Sequence, residues 1–201
     1  MDRQIVCFAI PSLEIALVRL SHPQLRTRPL AVAALDTPRA RLREISPEAE
    51  RDGLHIGMPL DRARRLCPSL QVRLPNPHQV ATATHSILGI IQRYAPTWEP
   101  FLPGSLLMDL TGTTRLFGTA CDVATKIQTE VLTQFHLEGA AGVGSNKLVA
   151  QTAATLIAPS ELYDVRSGSE RLFMSPLSIR ALPGVHRPCM RTVLKRLDDL
   201  N

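Results

Sequence analysis

At 201 residues, with 44% hydrophobic and only 4% aromatic side chains, the chain is long enough to build one or two compact domains around proper cores. No run approaches the roughly 18 apolar residues that a membrane-spanning helix requires, and Met1-Asp2-Arg3-Gln4 lacks a basic region leading into a long apolar core, so a cytoplasmic location is expected. The formal charge of +5 is uneven: eleven arginines face six acidic residues between positions 19 and 73, which places the whole excess there.

The four cysteines, Cys7, Cys67, Cys121 and Cys189, are far apart and form no C-x-x-C pair, so neither a zinc site nor a disulfide framework is expected. In chain order, Gln4 to Ile10 is a short apolar run suited to a buried strand. Pro11, which has no backbone donor, stops it before a helix whose inner face carries Leu13, Leu17 and Leu20. Pro29 to Leu35 reads as a second strand. Pro47 to Asp52 and Pro59 to Leu66 read as short helices opened by proline in the first turn.

The cluster Pro75-Asn76-Pro77 breaks the chain, and a long helix follows with Val80, Ala83, Ile87, Ile91 and Tyr94 along one side. Gly104 to Thr111 is expected as a strand and Gly118 to Gln134 as a helix with Val123, Ile127, Val131 and Phe135 facing inward. Gly139 to Val143 is a further strand, and Ser145 to Ile157 a helix capped by Ser145. The run Gly142-Val143-Gly144-Ser145-Asn146-Lys147 lacks the spacing of a nucleotide phosphate loop and reads more simply as a strand-to-helix turn. Tyr94 and Trp98 fit core packing better than base stacking. His78, His85 and His136 show no ligand or triad spacing, so no catalytic residue is assigned among them.

Several segments carry a resemblance. Pro100-Phe101-Leu102-Pro103-Gly104-Ser105-Leu106-Leu107-Met108-Asp109-Leu110-Thr111-Gly112 resembles P-L-S-x-D-E-A-Y-L-D-V-T-G of the Y-family (DinB/UmuC-type) translesion DNA polymerases. Phe8 to Val18 is similar to V-D-M-D-x-F-F-A-S-V-E, and Ser46-Pro47-Glu48-Ala49-Glu50 to Pro59 is similar to S-Y-E-A-R-x-x-G-V-x-x-G-M-P. Gly142 to Gln151 resembles G-V-x-x-N-K-x-x-A-K, and Leu182-Pro183-Gly184-Val185 the start of a helix-hairpin-helix in which His186 replaces the second glycine.

The resemblance implies an α+β fold: a ferredoxin-like polymerase palm (1–28 and 76–170), a small α/β fingers insertion (29–75) and the start of a helical thumb (171–201). It stops at the early thumb, so the chain is expected to be an N-terminal fragment or a short form. The departures fall on functional positions. Ala9, Gly104 and Ser105 stand where the family has metal-binding carboxylates, and Pro11 replaces the second aspartate of D-x-D. Glu14 takes the place of the aromatic that screens the nucleotide sugar, while Pro47, Glu50 and Gln151 replace a tyrosine, an arginine and a lysine.

Nucleotidyl transfer needs two ions braced by converging carboxylates. The expectation is therefore a chain that is not an enzyme, with no catalytic residue, no metal ligand and no cofactor, similar to the degenerate ImuB-like subfamily. That likeness implies an adaptor in damage-induced mutagenesis whose partners are a DnaE-type error-prone polymerase, the sliding clamp and an ImuA-like RecA/SulA-related protein, reached through regions outside this chain, with a nucleoid-associated location. Candidate DNA-binding residues are Arg39, Arg41, Arg43, Arg62, Arg64, Arg65 and Lys147, since cationic side chains release counterions from a polyanion. Two other readings stay open: an active translesion polymerase with atypical ligands around Glu14 and Asp109, and a non-catalytic DNA-binding module.

Overall fold

Every residue of Ile5–Ala9 except the last is buried, a pattern that a strand keeps only when both its faces are covered. In the computed structural model, which describes residues 3–183, this strand (β1) lies at the centre of a five-stranded sheet. The chain divides into two compact units, residues 12–87 and a second made of residues 1–11 with 88 onward. The first helix, α1 (Leu13–Ser21), belongs by its contacts to the former, although the sequence grouped it with residues 1–28.

The unit of residues 12–87 holds α1, a 3-10 turn at Pro23–Leu25 and a three-stranded sheet of β2 (Leu30–Ala33), β3 (Leu42–Ile45) and β4 (Gln71–Arg73), in the order β3-β2-β4. Two short helices, α2 (Pro47–Arg51) and α3 (Leu60–Leu66), follow β3. Both begin as the prolines dictate: Pro47 occupies the first turn of α2 behind the Ser46 cap, and Pro59 is the cap of α3. One face of β2 and β3 packs with these helices in a cluster of Ala31, Ala33, Leu42, Ala49, Leu54, Met58, Leu60 and Ala63. The opposite face, through Leu30 and Val32, meets Ile15 of α1 and Leu25.

A long helix, α4 (Pro77–Ile91), runs across the boundary between the units. In the second unit, a hairpin of β5 (Thr97–Leu102) and β6 (Ser105–Asp109) precedes α5 (Thr114–Phe117), α6 (Ala120–Phe135), β7 (Ala140–Gly144), α7 (Lys147–Leu156), β8 (Leu162–Asp164) and α8 (Glu170–Met174). The sheet order is β5-β6-β1-β7-β8. β1 is antiparallel to both its neighbours, and β8 adds a parallel edge strand. The element order is the split β-α-β-β-α-β arrangement with an added edge, an α+β architecture.

Small residues set the spacing between sheet and helix. Cys7 and Ile5 of β1 pair across with Gly142 and Gly144 of β7, and this face meets Ala150 and Ala154 of α7. The glycines of the segment 142–144 thus serve close packing, as a strand-to-helix turn requires. Asn146, not Ser145, caps α7, its side chain accepting from the Val149 N–H at 3.0 Å; Ser145 instead donates its hydroxyl to Glu170. His136 ends α6 in the left-handed region at φ 54°. Of the thumb-like part, α8 and a 3-10 turn at Ile179–Ala181 are seen; Gly184, Val185 and His186 of the expected hairpin lie outside the described residues.

Candidate functional site

Two segments more than ninety residues apart in sequence meet at one end of the central sheet. Ala9 pairs directly with Ser105, and the Ile10 N–H donates to the Gly104 carbonyl at 2.8 Å. The β5–β6 turn is Pro103-Gly104, with Gly104 at φ 76°, which is the type II arrangement of proline at the second and glycine at the third position. On the side chains, Cys7 Sγ lies 3.6 Å from Ser105 Oγ. Burial pushes the Cys7 thiol up to about 11, against a smaller opposing effect of Ser105, so it stays a neutral thiol near neutral pH. Ala140 closes the other side of Ala9.

The three positions singled out by the resemblance therefore form one place, and its chemistry is that of Ala9, Gly104, Ser105 and a buried thiol. These residues do not fit a pair of divalent ions, which need converging carboxylate oxygens close enough to coordinate them directly. Among the described residues, no three His, Cys, Asp or Glu side chains gather where they could hold a metal ion.

Glu14 and Asp109, the alternative ligands, are engaged elsewhere. Glu14 is buried at 8% exposure and pairs with Arg43 at 3.2 Å. Asp109 accepts from the Thr111 N–H at 3.0 Å and faces Arg3 at 3.5 Å. Burial raises the Asp109 pKa, but the Thr111 hydrogen bonds and Arg3 outweigh it and hold the carboxyl below its ordinary value. Asp109 thus supports the sheet end through Thr111 and Arg3.

The candidate DNA-binding residues separate into two sets. Arg43 is tied to Glu14, Arg64 to Asp36 at 2.8 Å, and Arg65 to Asp61. Lys147 is tied to Glu99 at 2.7 Å. Arg39, Arg41 and Arg62 are exposed and have no acidic partner among the described residues. Backbone bonds bring these three together: Leu60 and Asp61 N–H groups donate to the Ala40 and Pro38 carbonyls at 2.8 and 3.1 Å, and Arg41 bridges to Pro59. Arg41 also donates to the Gly57 carbonyl at 2.9 Å, which fixes its direction without neutralising it. The Arg65–Asp61 tie was legible as an i, i+4 spacing, whereas Asp36, Glu99 and Glu14 reach their cations only through the fold.

Tyr94 is no stacking platform. Its hydroxyl donates to Glu130, which also holds Arg93, and its ring meets Phe117 edge-on at 5.7 Å. Trp98 sits half-buried on β5 opposite Met108. No helix among the described residues is long and apolar enough to cross a membrane.

Residues 11–155 match the family model described as "IMS: impB/mucB/samB family". A DNA polymerase IV of Dehalococcoides mccartyi is 27% identical over 164 residues, covering 82% of this chain and 42% of that protein. One of Desulfatibacillum aliphaticivorans is 32% identical over 169 residues, covering 83% and 42%. The solved "Insertion ternary complex of Dbh DNA polymerase" superposes with a TM-score of 0.85 at 21% identity, covering 98% of this chain and 58% of that one. The chain thus spans less than half the length of these curated relatives. The expectation of a chain that is not an enzyme is overturned by these relatives, whose names are those of a polymerase.

Proposed function

The chain belongs to the impB/mucB/samB family, and on that premise we propose that it acts in DNA-damage tolerance as the palm-and-fingers portion of a Y-family-type DNA polymerase that holds primer–template DNA. The observation that carries this reading is the cluster of Arg39, Arg41 and Arg62, which the β2–β3 connection and the start of α3 bring to one exposed corner without acidic partners. Cations already held by carboxylates lose much of their value to a polyanion, while unpaired guanidinium groups grip phosphates bidentately. The unit of residues 12–87 carries eleven arginines and no lysine against seven acidic residues, so the field around this corner is positive.

Within the family we read the chain as ImuB-like. The support for that finer reading is the joint replacement of the acidic positions by Ala9, Gly104 and Ser105, which pair at one sheet end. By that likeness it works beside a DnaE-type polymerase, the sliding clamp and an ImuA-like protein on DNA in the nucleoid.

Two measurements test the proposal. Anisotropy of labelled primer–template DNA should show binding whose affinity falls steeply with salt, the slope of log K against log salt being about −0.9 for each phosphate neutralised; undetectable or salt-insensitive binding would remove the DNA-holding role. Primer extension with magnesium and with manganese then reads the polymerase activity itself. Co-purification from damaged cells with a clamp or a DnaE-type subunit supports the ImuB-like reading, and co-purification with neither counts against it.

A further inference from the structure

Helix α1 starts without a cap of its own. Ser12 stands at its N-cap position with φ 48° and ψ 53°, and its side chain makes no capping bond. The free N–H of Ile15 is taken by a side chain from another element: it donates to Glu44 Oε2 on β3 at 3.2 Å. A carboxylate there meets both an orphan donor and the positive end of the helix. Beside it is a second carboxylate, Glu14, whose Oε1 accepts from Arg43 at 3.2 Å and whose Oε2 is buried with no hydrogen-bond partner. Arg43 is paired with Glu14 and acts on Glu44 only through its charge, and one Glu14 oxygen is orphaned in a place where an unmet polar atom is costly.

We propose that Glu14 and Glu44 hold a single proton between them and so form a proton-dependent latch that fastens the first turn of α1 to β3. The proton comes from solvent and resides on Glu44, whose O–H donates to Glu14 Oε2. Glu44 Oε2 keeps the Ile15 N–H, and Glu14 keeps Arg43. Each oxygen then has a partner, and the pair carries one negative charge against the one positive charge of Arg43.

The surroundings favour this state. Burial raises the Glu44 pKa, the Ile15 N–H opposes it, the Glu14 carboxylate raises it further, and the Glu14 N–H and Arg43 lower it, with a net rise. From β2 the group opposite Glu44 is the apolar Val32. On α1 the next charge is Arg19, which is already held by Glu48 of α2. Glu14 also borders a cavity of about 10 Å³, together with the neutral amides of Asn76 and Gln79. That is the room of about one water, so a water is the rival partner for Oε2.

When an acid's folded pKa lies above its unfolded one, the stability it contributes is full at low pH and is lost as pH rises through the folded value. The latch should therefore loosen toward neutral and alkaline pH. Carboxyl 13C NMR of the whole chain, with Glu14→Gln and Glu44→Gln variants, tests this. Expected is one glutamate titrating above the ordinary carboxylate range in the unmodified chain, with the Glu44 shift largely abolished by Glu14→Gln. The Glu44→Gln amide donates to Glu14 at every pH, so its Tm should exceed that of the unmodified chain near neutrality by about 2–4 °C and converge with it in acid. Ordinary titration of both groups, or a Glu44 shift indifferent to Glu14→Gln, would overturn the proposal in favour of a water at Oε2.

Discussion

Ala9 and Ser105 are direct partners across β1 and β6, so their side chains leave the same face of the sheet about 4.5–5.5 Å apart. This pairing has a measurable consequence. Ala9→Asp combined with Ser105→Asp should place two carboxylates side by side and lower the Tm by several degrees in metal-free buffer, because like charges directly opposite repel. Manganese or magnesium should restore much of that loss in the double variant and leave the unmodified chain unmoved. A double variant indifferent to metal would show that the two positions do not share a face. Gly104→Asp is the poorer choice for such a repair, since φ at 76° charges a non-glycine residue about 1–2 kcal/mol.

A second prediction concerns the seam between sheet and helix. A Cβ on Gly142 would lie 2.2 Å from the Ala150 carbonyl oxygen and 2.4 Å from the Ala154 nitrogen, both backbone atoms of α7 that cannot swing aside. Gly142→Ala should therefore force β7 and α7 apart. The expected loss is about 2–4 kcal/mol, in the range of an overpacked core, read as a drop in the denaturation midpoint. Gly53→Ala is a useful contrast, because nothing lies within 4 Å of an added Cβ there and only its φ of 84° opposes the change.

How far the chain could be read in advance follows from what each signal depends on. β1, α6 and α7 were legible because continuous apolar runs and a 3.6-residue period are local properties. Ala9, Gly104 and Ser105 were named together by motif resemblance, and the β1–β6 register shows that they lie side by side. β3, β4, β5 and β8 were missed. Three of them are three or four residues long, Leu42-Arg43-Glu44-Ile45 carries its two charges at its centre, and the six-residue β5 contains Pro100, which argues against a strand. The cap of α1 was beyond sequence reasoning altogether, since Glu44 stands 29 residues from Ile15. The same holds for the fate of the arginines: Arg43 and Arg62 look alike in the sequence, and only the fold neutralises the first.

Asp109 supplies a pH-dependent prediction of opposite sign to the Glu44 latch. Its carboxyl is held below the ordinary value by Thr111 and Arg3 despite burial. A depressed acid contributes stability above its unfolded pKa, near 3.9, and loses it as pH falls through the folded value. Asp109→Asn should cost about 0.5–1 kcal/mol at pH 7, a modest figure because Arg3 is largely exposed and screened by solvent. The difference from the unmodified chain should shrink below pH 4 in paired thermal melts. A constant difference down to pH 2 would mean that the loss is steric and not electrostatic.

The division of the arginines predicts which replacements matter for DNA. Arg39, Arg41 and Arg62 lack acidic partners among the described residues, whereas Arg64 and Arg65 are held by Asp36 and Asp61. Each guanidinium that neutralises a phosphate adds about 0.9 to the salt slope. Replacing all three of the first set by serine should therefore flatten the slope by about 2–3, while replacing Arg64 and Arg65 should flatten it by less than about 1. Removing the carboxylates instead, with Asp36→Asn and Asp61→Asn, frees the second pair and should strengthen binding at low salt. Equal losses from both sets would mean that net charge alone governs the interaction. A loss confined to the tied arginines would move the interface away from the corner formed by the β2–β3 connection and α3.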